Sequence, residues 1–130
     1  MTESQDDARL PGLTVQRTVS YWHMQAQLTG TLDVDPATNC LVLRTPFGHI
    51  DELGGITFID TLIDVAWPFG WTVAVHDNRT ALIDATGQTA AHLGDEIILG
   101  GGSVATTDAD VTSSCTGQDS VFVASELSHP

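Results

Sequence analysis

The residues best equipped for chemistry in this 130-residue chain are five histidines, two cysteines, a surplus of carboxylates and three tryptophans, and their spacing decides what each can do. His23, His49, His76, His92 and His129 never fall in HxH or HxxxH spacing, so no local pair is set to ligate a metal. Strand pairing would have to bring His76 and His92 beside Asp77 or Asp95; ordinary histidines at strand ends are the expectation, with no metal and no cofactor. Asp60-Thr61-Leu62 and Asp84-Ala85-Thr86-Gly87 approach the D-[ST]-G loop with which aspartic proteases pair two carboxylates. The first lacks the glycine and the second carries an inserted residue, so Asp60 reads as a strand position and Asp84 as a hairpin turn. Ser113-Ser114, followed by Cys115, has no base nearby in sequence and no GxSxG context. Gly100-Gly101-Gly102 leads to Ser103 without the lysine of a phosphate loop, and no GxGxxG stands between a strand and a helix. Asp33-Val34-Asp35 opens like a calcium loop, but Ala37, Thr38 and Arg44 occupy the positions that need an oxygen ligand, a glycine and a glutamate. No catalytic residue is assigned.

What remains is contact chemistry. Trp67, Phe69 and Trp71 lie within five residues around Pro68 and Gly70, and aromatics beside such a turn anchor interfaces or stack on ligands. The competing reading is that they plug the end of a core. Pro68 and Gly70 break the extended period, which predicts at least one large ring facing solvent.

Charge narrows the partner. The chain has 17 acidic residues against Arg9, Arg17, Arg44 and Arg79, with no lysine, for a formal net charge of −13. That field repels phosphate backbones and anionic headgroups, so neither nucleic acid nor a membrane is an expected partner; a protein is. No apolar run reaches the length of a membrane-spanning helix, and the polar, acidic MTESQDDARLPG is unlike a signal peptide. The expected setting is cytoplasmic, with an extracellular or virion-associated one as the alternative. Cys40 and Cys115 form no CxxC motif, which leaves two readings, a pair of buried thiols or one disulfide.

The elements that must carry these residues read as strands. With 17 threonines and many Val and Ile, the composition favours β-structure, and 130 residues suffice for one domain. Residues 1–12 read as a flexible acidic arm, 13–125 as a single β-barrel domain and 126–130 as a tail. Alternation over Leu13, Val15, Val19 and Tyr21, and again from Ala26 to Val34, predicts strands; Gly30 falls on the inward face of the second, at a bend or close backbone approach. Asp33 to Asn39 turns into the strand Cys40 to Arg44, Pro46 to Gly55 reads as a loop, and Ile56 to Ala66 resumes as a strand. From Thr72 to Leu99, four short strands separated by turns predict an antiparallel meander at the heart of the barrel, which the triple glycine lets the chain leave. Ser103 to Gln118 reads as a polar loop and Ser120 to Ala124 as the closing strand. The fold expected is all-β, a small antiparallel OB-like or Greek-key β-barrel.

GTLDVDPATNCLVL, VAWPFGWT, LIDATGQTAAHLGDEIILGGG and a late cysteine before VFVA, read in that order, resemble an uncharacterised group of small OB-like β-barrel proteins, often lipoproteins, of high-GC bacteria. The resemblance spans about residues 28–125; its most distinctive pieces are Trp67-Pro68-x-Gly70 and Gly94-Asp95-x-x-x-Leu99-Gly100-Gly101. It implies a barrel fold and a pairing of Cys40 with Cys115, and it supplies no activity. This chain differs in showing no lipoprotein signal or lipidated cysteine. The function expected is a non-enzymatic binding module with an acidic surface and Trp67, Phe69 and Trp71 as its contact site. A structural subunit of a larger assembly, such as a virion or secretion component, stands second, and a hydrolytic enzyme third.

Overall fold

The computed structural model describes residues 10–18, 26–111 and 114–130, with the backbone alone for His49. The strand expectation for Val19 and Tyr21, residues 1–9 of the arm, His23 and Ser113 lie outside these residues. The strands are β1 (Thr14–Val15), β2 (Ala26–Asp35), β3 (Cys40–Ile50), β4 (Ile56–Trp67), β5 (Thr72–His76), β6 (Arg79–Ile83), β7 (Thr89–His92), β8 (Glu96–Ala105) and β9 (Ser120–Ser128).

Five strands close a barrel in the order β4-β3-β2-β8-β9, with β9 returning to β4. The closing pair is parallel, Val65 opposite Phe122 and Ala66 opposite Val123, while the other four pairings are antiparallel. β1 adds to β4 in parallel, at Thr14↔Ala66 and Val15↔Trp67. The architecture is all-β, as the threonine- and valine-rich composition predicts.

The meander from Thr72 to Leu99 divides in a way the turn signals do not reveal. β5, β6 and β7 form a separate three-stranded sheet, and only β8 enters the barrel. The reason lies in the core: Leu82 and Ala91 from the small sheet pack in one cluster with the barrel residues Leu32, Leu41, Leu43, Val65, Trp67, Ile97, Leu99 and Phe122. The three-stranded sheet thus packs its apolar side chains on the barrel core and adds no strand to the barrel wall.

Three boundaries also differ from the sequence reading. The triple glycine does not release the chain: Gly100 to Gly102 lie inside β8, paired with β2 on one side and β9 on the other. A bulge falls between Gly100 and Gly101, and a Cβ on Gly101 would collide with the Val123 carbonyl oxygen, so glycine is what lets β9 cross this closely. β8 thus takes in Ser103 to Ala105, and β9 takes in Glu126 to Ser128, so most of the assigned tail is strand. At the other end, Gly12 is tied into the fold; its N–H donates to the Asn39 carbonyl (2.9 Å) and its carbonyl accepts from Leu41 N–H (2.9 Å).

The third difference matters most. Of the loop read from Pro46 to Gly55, residues 46–50 belong to β3, and only residues 51–55 connect it to β4. Pro46 and Gly48 look like strand breakers, but their register explains their tolerance. Gly48 lies opposite Phe58, whose ring covers it: a Cβ there would sit 3.3 Å from the Phe58 ring. Gly30, by contrast, does what its inward position predicts, since a Cβ on it would meet the Arg44 carbonyl oxygen at 2.5 Å where β2 crosses β3.

Candidate functional site

The aromatic turn is held by the end of β4 and the start of β5, and it divides its rings between core and solvent. Trp67 is fully buried, Trp71 is half-buried against the same cluster, and Phe69 is 49% exposed. The two indoles stack with centroids 6.3 Å apart and planes within 13°. Gly70, at φ 86°, reverses the chain so that Trp71 folds back on Trp67, and Trp71 N–H donates to the Pro68 carbonyl at 3.2 Å. Of the three proposed contact rings, Trp67 is thus out of a partner's reach, and Phe69 alone is openly displayed.

The larger display is on the β3–β4 hairpin. β2 follows β3 only as far as Arg44, then bends to β8, and β9 meets β4 only at Val65 and Ala66. Between those points the two strands continue as an isolated ribbon, paired from Pro46↔Asp60 out to Ile50↔Ile56. Five residues per strand project about 17 Å. Phe47 and Ile59 continue the face that Leu43 and Ile63 begin in the core; Ile50, Ile56 and Phe58 occupy the opposite face. Ile50 is 78% exposed, Phe58 69% and Leu53, at the tip, 96%. Six of the large apolar side chains most exposed among the described residues therefore sit on one ribbon, where lone exposed apolar residues would be ordinary and a cluster is not.

The tip holding Leu53 out is well ordered by hydrogen bonds. Asp51 Oδ1 accepts from Leu53 N–H at 2.9 Å and Gly55 N–H at 2.8 Å, and Asp51 N–H donates to the Gly55 carbonyl at 2.9 Å. At the root, Arg44 Nε donates to Asp33 Oδ2 at 2.8 Å and Nη1 lies 3.6 Å from Asp60 Oδ2. This pairing raises the Arg44 pKa above its ordinary value, the Asp33 hydrogen bond being the main cause.

The carboxylate with the most enclosed surroundings is Asp64 on β4, which is buried. Thr14 Oγ1 donates to its Oδ1 at 3.2 Å and Ser114 Oγ to its Oδ2 at 2.8 Å. Those hydroxyls in turn accept from Cys115 N–H (2.8 Å) and Gly117 N–H (3.0 Å). Every proton in this chain points toward the carboxylate, so the group fastens β1 and the segment before β9 to β4. Beside it, Cys40 and Cys115 are joined as a disulfide. Of the two readings that the spacing leaves open, the structure shows the disulfide, the pairing that the resemblance implies; the two residues are brought together by the parallel return of the N-terminal segment and by the loop leading to β9.

The remaining chemically suggestive residues do not converge on one centre, although His92 Nδ1 comes within 3.9 Å of Asp95 Oδ2. His76 on β5 and His92 on β7 flank opposite edges of β6, opposite Arg79 and Ala81 respectively. His76 Nδ1 is 3.2 Å from Thr89 Oγ1, and Asp95 engages His92 N–H at 2.9 Å and Arg79 at 3.5 Å. Among the described residues no three His, Cys, Asp or Glu side chains converge as a metal site would need. Asp60 lies in β4, and Asp84 closes the β6–β7 turn, its Oδ1 accepting from Thr86 Oγ1 (2.6 Å), Thr86 N–H (2.9 Å) and Gln88 N–H (3.1 Å).

Two carboxyls carry a pH signature. Asp84 is held below the ordinary carboxylate range, first by the Thr86 hydroxyl and then by the Gln88 N–H. For Asp33, burial pushes upward, but the Arg44 hydrogen bond, the Val34 N–H and the Arg44 charge together outweigh it and leave the pKa lowered. A depressed folded-state pKa contributes stability that is present above the unfolded value, about 4, and is lost as pH falls through the lower folded value. Thermal unfolding followed by circular dichroism is therefore expected to show a midpoint that drops below about pH 4. Asp84→Asn, which keeps an acceptor in the turn, should flatten part of that drop; parallel curves for the two proteins would exclude Asp84 as a contributor.

Taken together, the described residues form a small closed β-barrel that carries a projecting apolar ribbon. The chain matches no family model, and no curated protein and no solved structure matches it either. No helix among the described residues is long and apolar enough to cross a membrane.

Proposed function

We propose that the chain is a non-enzymatic binding module whose barrel holds the β3–β4 ribbon out for a protein partner. The observation that carries this reading is the exposure of Phe47, Ile50, Leu53, Ile56, Phe58 and Ile59 together on one hairpin. Their combined exposure is of the order of several hundred Å², comparable with the ~800 Å² that each side of a standard interface buries. The strand order and the parallel β4–β9 closure support reading the barrel as OB-like, with β2, β3, β4, β8 and β9 in its five strand positions. OB barrels meet ligands on the face of their second and third strands, which here are the two that lengthen into the ribbon. Oligonucleotides, a common OB ligand, suit a chain of net charge −13 poorly, and the apolar ribbon suits a protein. The resemblance to small OB-like proteins of high-GC bacteria agrees with this reading of the fold. The disulfide favours an oxidising compartment, and so the extracellular or virion-associated setting over the cytoplasmic one.

A photocrosslinker in place of Leu53 is expected to trap one protein in cells that express the chain, to be identified by mass spectrometry. Purified, that protein should rebind the chain, and Phe58→Asp should weaken rebinding about tenfold or more, as loss of a hot-spot ring does. Stability should change by no more than about 0.5 kcal/mol, as for an exposed site. Rebinding unchanged by Phe58→Asp would remove the ribbon from the interface. Adducts formed only between copies of the chain would favour a subunit of a larger assembly.

A further inference from the structure

We propose that the outer edge of β4, from Ile56 to Asp60, receives an extended segment of the partner as an added strand, and that this segment is apolar and basic. The inference rests on the ribbon being the binding site and specifies how the site binds. It begins with the direction of the backbone groups. In an antiparallel pair, successive residues turn their N–H and C=O groups alternately toward and away from the neighbouring strand. Leu62 shows which set faces outward, because its carbonyl accepts from Gln118 Nε2 (3.2 Å), on the side away from β3. By the same alternation Ile56, Phe58 and Asp60 also aim their backbone groups outward. β9 pairs with β4 only at Val65 and Ala66, and no described residue pairs with the edge from 56 to 60.

The other edge of the ribbon is a poorer template. On β3 the outward positions are Pro46, Gly48 and Ile50, since Pro46 is paired with Asp60 and Gly48 with Phe58. Proline brings no N–H, and glycine adds no side chain to an added strand. The β4 edge reads Ile-Thr-Phe-Ile-Asp, β-branched and aromatic residues without Pro or Gly. Natural sheets blunt such an edge with lysine, proline or a bulge, because uncovered it pairs with any strand it meets. None of these devices lies between Ile56 and Asp60, which fits an edge that is kept for pairing.

Charge selects the occupant. Residues 46–60 hold no Lys or Arg; of their acids, Asp60 lies 3.6 Å from Arg44, and Asp51 and Glu52 at the tip have no basic neighbour in this segment. A second copy would bring the same acids and another net charge of −13 to the same edge, whereas a segment with Lys or Arg would neutralise them. An added strand also extends both faces at once. Its alternate side chains would meet Ile56 and Phe58 on one face and Ile59 on the other, which accounts for a ribbon that is apolar on both sides.

A random 12-residue peptide library selected on the full, disulfide-bonded chain, with counter-selection on Phe58→Asp, tests this. Enriched peptides are expected to combine apolar residues with Lys or Arg and to bind about threefold or more weakly at high salt. In their presence the amides of Ile56, Phe58 and Asp60 should exchange with solvent about tenfold or more slowly. Those of Thr57 and Ile59, already paired to β3, should change little. Ribbon-dependent peptides that leave the three amides unprotected would overturn edge addition while the ribbon remains the site, through its faces. No ribbon-dependent peptide at all would also overturn it, and the ribbon would then stand or fall by the Leu53 crosslink. Protection that appears without peptide as the chain is concentrated, with a dimer by sizing, would assign the edge to a second copy. Co-sedimentation with phosphatidylcholine vesicles, lost in Phe58→Asp, would assign it to a bilayer.

Discussion

Trp67→Ala is expected to cost about 3–5 kcal/mol of stability, while Phe69→Ala, two residues away, stays within about 0.5 kcal/mol. Trp67 ends β4 with no exposed surface, and its ring touches the one place where barrel and small sheet share a core, among Leu43, Val65, Leu82 and Ala91. Truncation there opens a cavity that the β-scaffold can close only by moving the small sheet, and it also strips Trp71 of its stacking partner. The indole nitrogen gains nothing in compensation. Trp67 Nε1 is the one buried side-chain polar atom among the described residues without a hydrogen-bond partner, so Trp67→Phe sacrifices packing and no hydrogen bond, and should cost less than the alanine change. Urea unfolding followed by far-ultraviolet circular dichroism, which does not rely on the deleted fluorophore, measures all three. Equal, small effects for Trp67→Ala and Phe69→Ala would mean that the ring belongs to a contact surface after all.

Loss of the Cys40–Cys115 disulfide is expected to cost about 4 kcal/mol by the loop-entropy argument, within the 2–5 kcal/mol seen for native disulfides in small domains. The bond spans 75 positions and joins the first residue of β3 to the segment before β9, so it closes most of the barrel into one loop. Its surroundings are equally committed. A Cβ on Gly12 would lie 2.8 Å from Cys115 Sγ, Gly12 bridges to Cys40, and Cys115 N–H feeds the Thr14 hydroxyl that holds Asp64. Without the bond, the hydroxyl network must hold the same segments alone. Urea unfolding with and without reductant, and of the Cys40→Ala/Cys115→Ala double variant, measures the cost. A difference below about 1 kcal/mol would show that packing and the Asp64 network suffice without the cross-link.

How far the sequence could be read depends on the range of the interaction involved. Asp84 as a turn, Gly30 as a close approach and Asp33 to Asn39 as a hairpin were all legible, because each rests on a side chain or a missing side chain acting within a few residues. The ribbon was not. Pro46, Gly48, Gly54 and Gly55 carry the composition of a loop, and only the register that sets Gly48 under Phe58 shows a strand. The apolar content of Ile56 to Ile59 was visible; its exposure was not, because nothing local says that β2 and β9 turn away before covering it.

The aromatic turn shows the same division. Composition and spacing correctly predict that Pro68 and Gly70 split the rings between two environments, but which ring goes inward depends on where the small sheet lands. By itself the sequence determined the all-β class, the acidity and the turns that punctuate the strands, since these follow from composition, charge and local backbone preference. Only the tertiary structure decided that Thr72 to His92 forms a separate sheet packed on the barrel core, that Cys40 and Cys115 are a disulfide and not two thiols, and that β3 and β4 outrun their neighbours. Those outcomes depend on contacts between residues far apart in the chain, and their energies exist only once the barrel has closed.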